Sequence, residues 1–360
     1  MARLWDVPVH DSTRVRDSRV AAEEAAALAG LDERRTAAAA LVASELATNL
    51  LKHAGGGQLL VDLVAPATAG EGRDGNDVVQ IAAVDHGPGM PDVGAALRDG
   101  FSTADSLGAG LGTCVRLADD FGLHSAPGRG TVALARIGAA PGRAGRAATA
   151  VAGGAQRCVA RAGGINIPFA GADCSGDTWA WVRAGDRLTL MLADGLGHGP
   201  QAAHASTAAA RVLGRSAHLS PAELLRHLDA GLRGTRGAAV ALAQLDADTG
   251  RLTFAGIGNI GARLREGGTW RHLLSRPGIV GVHRPATLPE TRLPWGPDRL
   301  LVLHSDGLPS RWVPPSDPGL LLADPAVVAA VTVRDAGSAA RPVRDDTAVA
   351  VLAPNPPEGP

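Results

Sequence analysis

The stretch Val78-Val79-Gln80-Ile81-Ala82-Ala83-Val84-Asp85-His86-Gly87-Pro88-Gly89 runs an apolar segment straight into a carboxylate and two glycines. Such a pattern predicts a strand that delivers an acidic group to a place where the backbone can come close to a ligand. Upstream, the Ala- and Leu-rich segment from Asp32 to Ala54 predicts a long helix, and Gln58 to Val64 predicts a strand. Glu45, Asn49 and His53 are spaced i, i+4, i+8, so the helix would project all three from one face. Downstream, Gly108-Ala109-Gly110-Leu111-Gly112 leads into a helix predicted over Thr113 to Phe121. Exposed amides and the helix dipole there suit a phosphate. A strand follows at Thr131 to Ile137, and the loop Pro66 to Asp77 reads as an insertion. Helices and strands do not alternate regularly, which predicts helices packed on one face of a mixed sheet.

In order, Glu45-Leu46-Ala47-Thr48-Asn49, Asp85-His86-Gly87-Pro88-Gly89, Gly108 to Gly112 and Gly130-Thr131 resemble the four boxes of the Bergerat-type (GHKL) ATPase family. The run FSTADSLGAGLG followed by RLADDF makes residues 5 to 137 especially similar to the RsbT-like anti-sigma and switch serine kinases. The resemblance implies ATP with one Mg²⁺. Asn49 would hold the ion, Asp85 would accept the adenine amino group and Thr131 would complete that pocket. Gly87 and Gly89 would bring backbone close to the nucleotide, Gly108, Gly110 and Gly112 would wrap the phosphates, and Glu45 would accept the proton of an incoming serine hydroxyl. Phosphoryl transfer is mainly positioning and charge neutralisation, with a carboxylate near the nucleophile, so these residue types suit the chemistry. Lys52, the single lysine of the chain, lies one turn beyond Asn49 and is either a phosphate contact or solvated surface. His53 reads as a packing residue or a support behind the site rather than a catalyst.

At 360 residues the chain is long enough for two domains, and 45% hydrophobic with 20% charged residues is an ordinary globular composition. Lys+Arg 35 against Asp+Glu 36 leaves no positive surplus for a phosphate backbone, which argues against nucleic acid as partner. Cys114, Cys158 and Cys174 form neither a close pair nor an even set, so no disulfide framework or thiolate site is expected. The reading is a cytoplasmic protein: neither a leader pattern nor an apolar run of membrane-spanning length is evident. Gly138 to Gly154, rich in Gly, Ala and Arg, predicts a linker between a domain over residues 1–138 and a second over 155–354. Pro354 to Pro360 reads as a frayed tail.

In the second half, Arg187 to Ala193 and Arg299 to His304 are apolar strand patterns that each run towards an Asp-Gly, and a third, Thr347 to Leu352, follows Asp345-Asp346. Helices are predicted over Gln201 to Leu213 and Pro221 to Leu232, the latter with Ser220 as cap. Asp177, Asp194, Asp306 and Asp345 each adjoin a strand or a glycine turn, so all could gather at neighbouring strand ends. Hard oxygen donors without a Cys or His cluster favour Mg²⁺ or Mn²⁺.

The same blocks, with Ala193-Asp194-Gly195-Leu196-Gly197-His198-Gly199 the most distinctive, resemble the SpoIIE and RsbX branch of the metal-dependent (PPM-type) serine/threonine phosphatases over about Gly163 to Leu352. The implied fold is α+β in two domains, a Bergerat-type α/β sandwich and an α/β-β/α layered phosphatase. The implied site has two ions. Asp194 bridges them, Gly195 offers its carbonyl, Asp177 supports the first and Asp306 and Asp345 hold the second, with water activated for in-line attack on a phosphoserine. Asp346 would support the ligands, Gly258-Asn259 reads as a structural turn, and His198 and His204 stay outside the metal set.

Together these resemblances imply a bifunctional partner-switching regulator, an ATP-dependent serine kinase fused to a phosphatase. Its substrates would be STAS-domain antagonists or stressosome-like proteins upstream of an alternative sigma factor, with a sigma factor or another phosphatase as further partners. The alternative is a phosphatase regulated by a non-catalytic ATP- or partner-binding domain.

Overall fold

The computed structural model describes residues 3–64, 77–97, 110–139, 160–169, 172–337 and 345–355. Gly108, Cys158, most of the expected insertion (66–76) and linker (140–154), and residues 356–360 of the expected tail lie outside them.

The first sheet, β1-β2-β3-β5-β4, is made of β1 (Trp5–Val9), β2 (Gly57–Val64), β3 (Val78–Val84), β4 (Asp120–Ala126) and β5 (Gly130–Ile137). Every pairing in it is antiparallel, so it is not the mixed sheet the element order suggested. Helices α1 (Thr13–Leu28) and α2 (Glu33–Ala54) cover one face. The α2 helix starts where its sequence calls for it: Asp32 caps it by accepting from the Arg35 amide at 2.7 Å, and Gly55 closes it at φ +71°. By contrast α1 was not legible, because its buried stripe is Ser18, Ala21, Ala22, Ala25 and Ala26, small residues with little apolar contrast. A short α3 (Val93–Ala96) follows β3. The helix expected over Thr113 to Phe121 is α4 (Gly110–Leu117), and Phe121 instead pairs with Ala135 in the sheet.

The second half stacks two sheets. One has the order β13-β10-β9-β8-β7, built from β7 (Asp177–Ala184), β8 (Arg187–Gly195), β9 (Ala238–Asp246), β10 (Arg251–Ile257) and β13 (Thr291–Pro294). The other has the order β12-β11-β14-β15-β6, built from β6 (Ala160–Ile167), β11 (Gly261–Glu266), β12 (Thr269–Leu273), β14 (Leu300–His304) and β15 (Thr347–Pro354). Helices α5 (Pro200–Arg215) and α6 (Pro221–Gly231) cover the first of these, and α7 (Pro325–Ala336) covers the second. The α6 start is a full capping box, Ser220 with Glu223. Pro354 is not frayed: it ends β15, buried and paired with Ala160, in a strand flanked on both sides. Proline is tolerated there because the β14 pairing stops at Leu352, which leaves this end of β15 an edge on that side.

The layers run on from one half to the next. Leu59, Val61, Val79 and Ile81 face α1 and α2, while Leu60, Ala82, Val84, Val132 and Leu134 on the opposite face pack with α7, Ile165, Ile167, Val349 and Val351. All seven residues of β3 are therefore buried. Its central Gln80 donates to the Gly164 carbonyl (3.1 Å) and accepts from Arg136 Nε (3.0 Å). Arg136 in turn grips Asp324, the α7 cap, with two hydrogen bonds of 2.8 and 2.9 Å, and also pairs with Asp120. Burial alone would raise the Asp324 carboxyl, but Arg136 and the Ala326 amide hold it below its ordinary range.

Asp324→Ala removes a helix cap and one partner of a largely buried ion pair, so it should cost about 2–3 kcal/mol in urea unfolding. A carboxyl with a lowered folded-state pKa stabilises above its unfolded pKa, near 4, and loses that contribution as pH falls through the folded value. The variant's deficit should accordingly shrink in acid; a deficit equal at pH 7 and pH 2.5 would show that the carboxylate is not the source.

Candidate functional sites

The first site forms where α2, the end of β3 and the start of α4 meet. A methyl built on Gly110 would stand 3.4 Å from Asn49 Oδ1 and 3.7 Å from Glu45 Oε2, so the helix start lies against both predicted residues. Asn49 Nδ2 is buried and has no hydrogen-bond partner among the described residues, an unmet donor of the kind a bound phosphate or water would satisfy. Gly112 is buried on α4. Beneath it Cys114 is a fully buried thiol pushed up to about 12 by burial and by the Glu45 charge, hence unreactive. Lys52 is exposed on the last turn of α2 with no acidic partner among the described residues, and His53 is exposed beside it.

Asp85, 8% exposed, sits just past β3. Its Oδ1 accepts from the Gly87 amide at 2.8 Å and the Thr131 amide at 3.1 Å, which leaves Oδ2 for a ligand donor. Burial raises its pKa against those two amides. Thr131 Oγ1 lies 2.9 Å from Ser125 Oγ, so its hydroxyl is tied to β4. The glycines of the box answer to the protein's own packing. A side chain on Gly87 would strike Ala54, and one on Gly89 (φ +69°) would come within 2.1 Å of the Ala126 carbonyl oxygen.

The second site lies at the ends of two facing sheets. Asp177 opens β7 directly opposite Asp194 near the end of β8, while Asp306 follows β14 and Asp345 precedes β15. Asp194 therefore comes from one sheet with Asp177, and Asp306 and Asp345 from the other. Gly195 donates its amide to the Gly176 carbonyl at 3.0 Å, and a side chain on it would lie 2.1 Å from the Ala202 carbonyl oxygen, so α5 can close down on this turn. Burial, and then the Asp194 charge, push Asp177 well above the carboxylate range; burial, then Asp306, Asp345 and Asp346, push Asp194 to about 7. Asp306 is raised by burial and by Asp345. Asp177 Oδ2 is buried without a hydrogen-bond partner.

No three Asp, Glu, His or Cys groups among the described residues stand preassembled around one point. The fit to a cation therefore rests on donor chemistry: all-oxygen ligands, an unmet buried carboxylate oxygen, and mutual repulsion that a divalent charge would relieve.

The structure also supplies a residue that sequence reasoning missed, Asn166, and specific contacts for Asn259 and Asp346. Asn259 donates to Asp306 Oδ2 at 2.8 Å, so the supposed structural turn orients a proposed ligand. Asn166 donates to the Asp177 carbonyl at 2.8 Å, linking the two sheets beside the cluster. Asp346 accepts from the Phe169 and Gly176 amides, both at 2.8 Å, and so pins two loops that border Asp177. His198 and His204 are exposed.

A nucleotide-type box and an acidic strand-end cluster on one chain define a two-module protein. Residues 9–136 match the family described as histidine kinase-like ATPase domain, and residues 184–353 match the family described as Stage II sporulation protein E (SpoIIE). The serine/threonine-protein kinase RsbT of Bacillus subtilis (strain 168) is 46% identical over 88 residues, 24% of this chain and 61% of that protein. The chain thus spans about three fifths of the length of the curated relative it matches. A magnesium complex of RsbX superposes with TM-score 0.47 and 17% identity, covering 56% of this chain and 98% of that one. The PP2C phosphatase domain of SpoIIE from Bacillus subtilis, with a fragment of its regulatory domain, gives TM-score 0.47 and 14% identity over 96% of this chain and 98% of that one. No helix among the described residues is long and apolar enough to cross a membrane.

Asp346→Ala would strip two amides of their acceptor, one of them buried, and should lower stability by roughly 2 kcal/mol or more. Thermal unfolding in EDTA checks this; a melting temperature equal to wild type would exclude the pinning role.

Proposed function

We propose that the chain is a cytoplasmic, bifunctional partner-switching regulator that phosphorylates serine on a partner protein and hydrolyses phosphoserine or phosphothreonine. The observation that carries the reading is that both sites are filled by suitable residues on one chain. Glu45 and Asn49 stand together at a glycine helix start, and Asp177, Asp194, Asp306 and Asp345 lie at the ends of four strands, two from each of two sheets. The RsbT relative supports the first activity and the SpoIIE match the second.

In the first site Asn49 holds the ion of Mg²⁺-ATP, Asp85 takes the adenine amino group in a pocket completed by Thr131, and Gly87, Gly89, Gly108, Gly110 and Gly112 give backbone access, Gly108 lying outside the described residues. Lys52 is free to reach a phosphate. Glu45 receives the proton of the attacking serine as its oxygen bonds to the γ-phosphorus and the bond to ADP breaks. In the second site Asp177, Asp194, Asp306, Asp345 and the Gly195 carbonyl hold two Mg²⁺ or Mn²⁺ ions. When bound, these supply charge neutralisation and an activated water for in-line hydrolysis. Asn259 and Asp346 keep Asp306 and the neighbouring loops in place.

The partner class we propose is a small STAS-domain antagonist or a stressosome-like protein, with control of an alternative sigma factor downstream. A second reading, a phosphatase regulated by a non-catalytic nucleotide-binding module, is favoured by the shared core around α7.

With Mn²⁺ and a phosphoserine peptide, Asp194→Ala should lower turnover at least a hundredfold; retained turnover would sink the phosphatase assignment. With Mg²⁺-ATP and a cognate STAS protein, wild type should incorporate phosphate and Glu45→Gln should lose a hundredfold or more. Nucleotide binding without incorporation by wild type would select the second reading.

A further inference from the structure

The adenine end of the proposed ATP site is not bounded by the ATPase domain alone. Arg334, on the last turn of α7, is 2% exposed and lies against Gly130 and His86, residues 204 and 248 positions earlier in the chain. Its Nη1 donates to the Gly130 carbonyl at 3.2 Å. The amide on the other side of that peptide unit belongs to Thr131 and donates to Asp85 Oδ1 at 3.1 Å. One peptide plane thus relays a guanidinium to the carboxylate that would read adenine, an arrangement in which each hydrogen bond polarises the next.

The same arginine holds the box from its other side. The Arg334 carbonyl oxygen accepts from His86 Nε2 at 2.9 Å, and His86 directly follows Asp85. Asp335 fixes the guanidinium through Nε and Nη2, both 3.0 Å from its Oδ1, and itself pairs with Arg129 at 3.2 Å. Gly130 has φ +87°, and a methyl there would lie 2.0 Å from the Asp85 carbonyl oxygen, so this turn has no room to shift away from Arg334.

We propose that Arg334 is a positioning residue of the nucleotide site, and that the second domain completes the adenine pocket of the first. This rests on the ATP-site reading above. The Arg334 guanidinium sets the orientation of the Gly130–Thr131 peptide, while its carbonyl oxygen holds the His86 side chain, so that Asp85 keeps Oδ1 on the protein and Oδ2 for the base. Its charge also opposes the upward push that burial exerts on the Asp85 carboxyl. A residue acting at the adenine end governs which base is accepted, while the triphosphate is held elsewhere.

The test is calorimetric titration of full-length protein with Mg²⁺-ATP and Mg²⁺-GTP. Arg334→Met should lower the ATP-over-GTP affinity ratio about tenfold, the size of one hydrogen bond to a charged group, whereas general loosening would weaken both nucleotides together. Arg334→Lys, which keeps a cationic donor, should restore part of the ratio. Wild-type protein that binds no ATP would overturn the ATP-site reading itself; wild type that binds ATP with an unchanged ratio in Arg334→Met would overturn only this inference. If that variant does not fold, hydrogen exchange on wild type decides. Mg²⁺-ATP should slow the amides of residues 330–336 more than Mg²⁺-GTP does, and equal protection by the two overturns the proposal.

Discussion

The structure depends on α7 being buried on two sides at once. Ala326 to Val331 are almost wholly inaccessible because one face of the helix lies on the β14-β15-β6 side of the second half and the other on the outer face of the first sheet. A helix apolar all round is stable only with that double cover. Its ends are secured by charge: Asp324 by Arg136 at the start, Arg334 by Asp335 and the Gly130 carbonyl at the finish. Each grips a residue of the first sheet, so burial and polar satisfaction specify the same docking.

That docking has consequences for both sites. Within the first sheet β3 exposes neither face, which is why Gln80 can sit in this strand with its amide satisfied from β6 and β5. The box after β3 gains a second wall. On the other side of the layers, the proposed metal cluster draws Asp177 and Asp194 from one sheet and Asp306 and Asp345 from the other. Its repulsion is held in check by packing and by amide donors, as Asp346 shows with the Phe169 and Gly176 amides. An acidic site of this kind stores the preference for a divalent charge that a phosphoryl-transfer centre uses.

Much of this was legible in the sequence where a local rule decides it. Asp32 and Gly55 bound α2, Ser220 and Glu223 start α6, and the order of the glycine and acidic boxes pointed to both modules. Where two structures compete for one local pattern, the reading missed. The run after Gly112 looked helical through Phe121, yet the chain leaves the helix after Leu117 so that Phe121 can pair with Ala135. The alanine stripe of α1 carries too little hydrophobic contrast to register, and Pro354 holds a strand end because β6 pairs with β15 as far as its last residue.

The sequence by itself determined the two modules, their order and the residue types proposed for each candidate site, because boxes, caps and strand-end aspartates are short-range features. Tertiary structure alone decided the sharing of α7, the pairing of Asn259 with Asp306, and the reach of Arg334 to Gly130. Those contacts join residues 47 to 204 positions apart. Hydrophobic burial is non-directional, so an all-apolar helix announces that it will be covered without saying by what; only the shapes and hydrogen-bond demands of the assembled sheets select the partner.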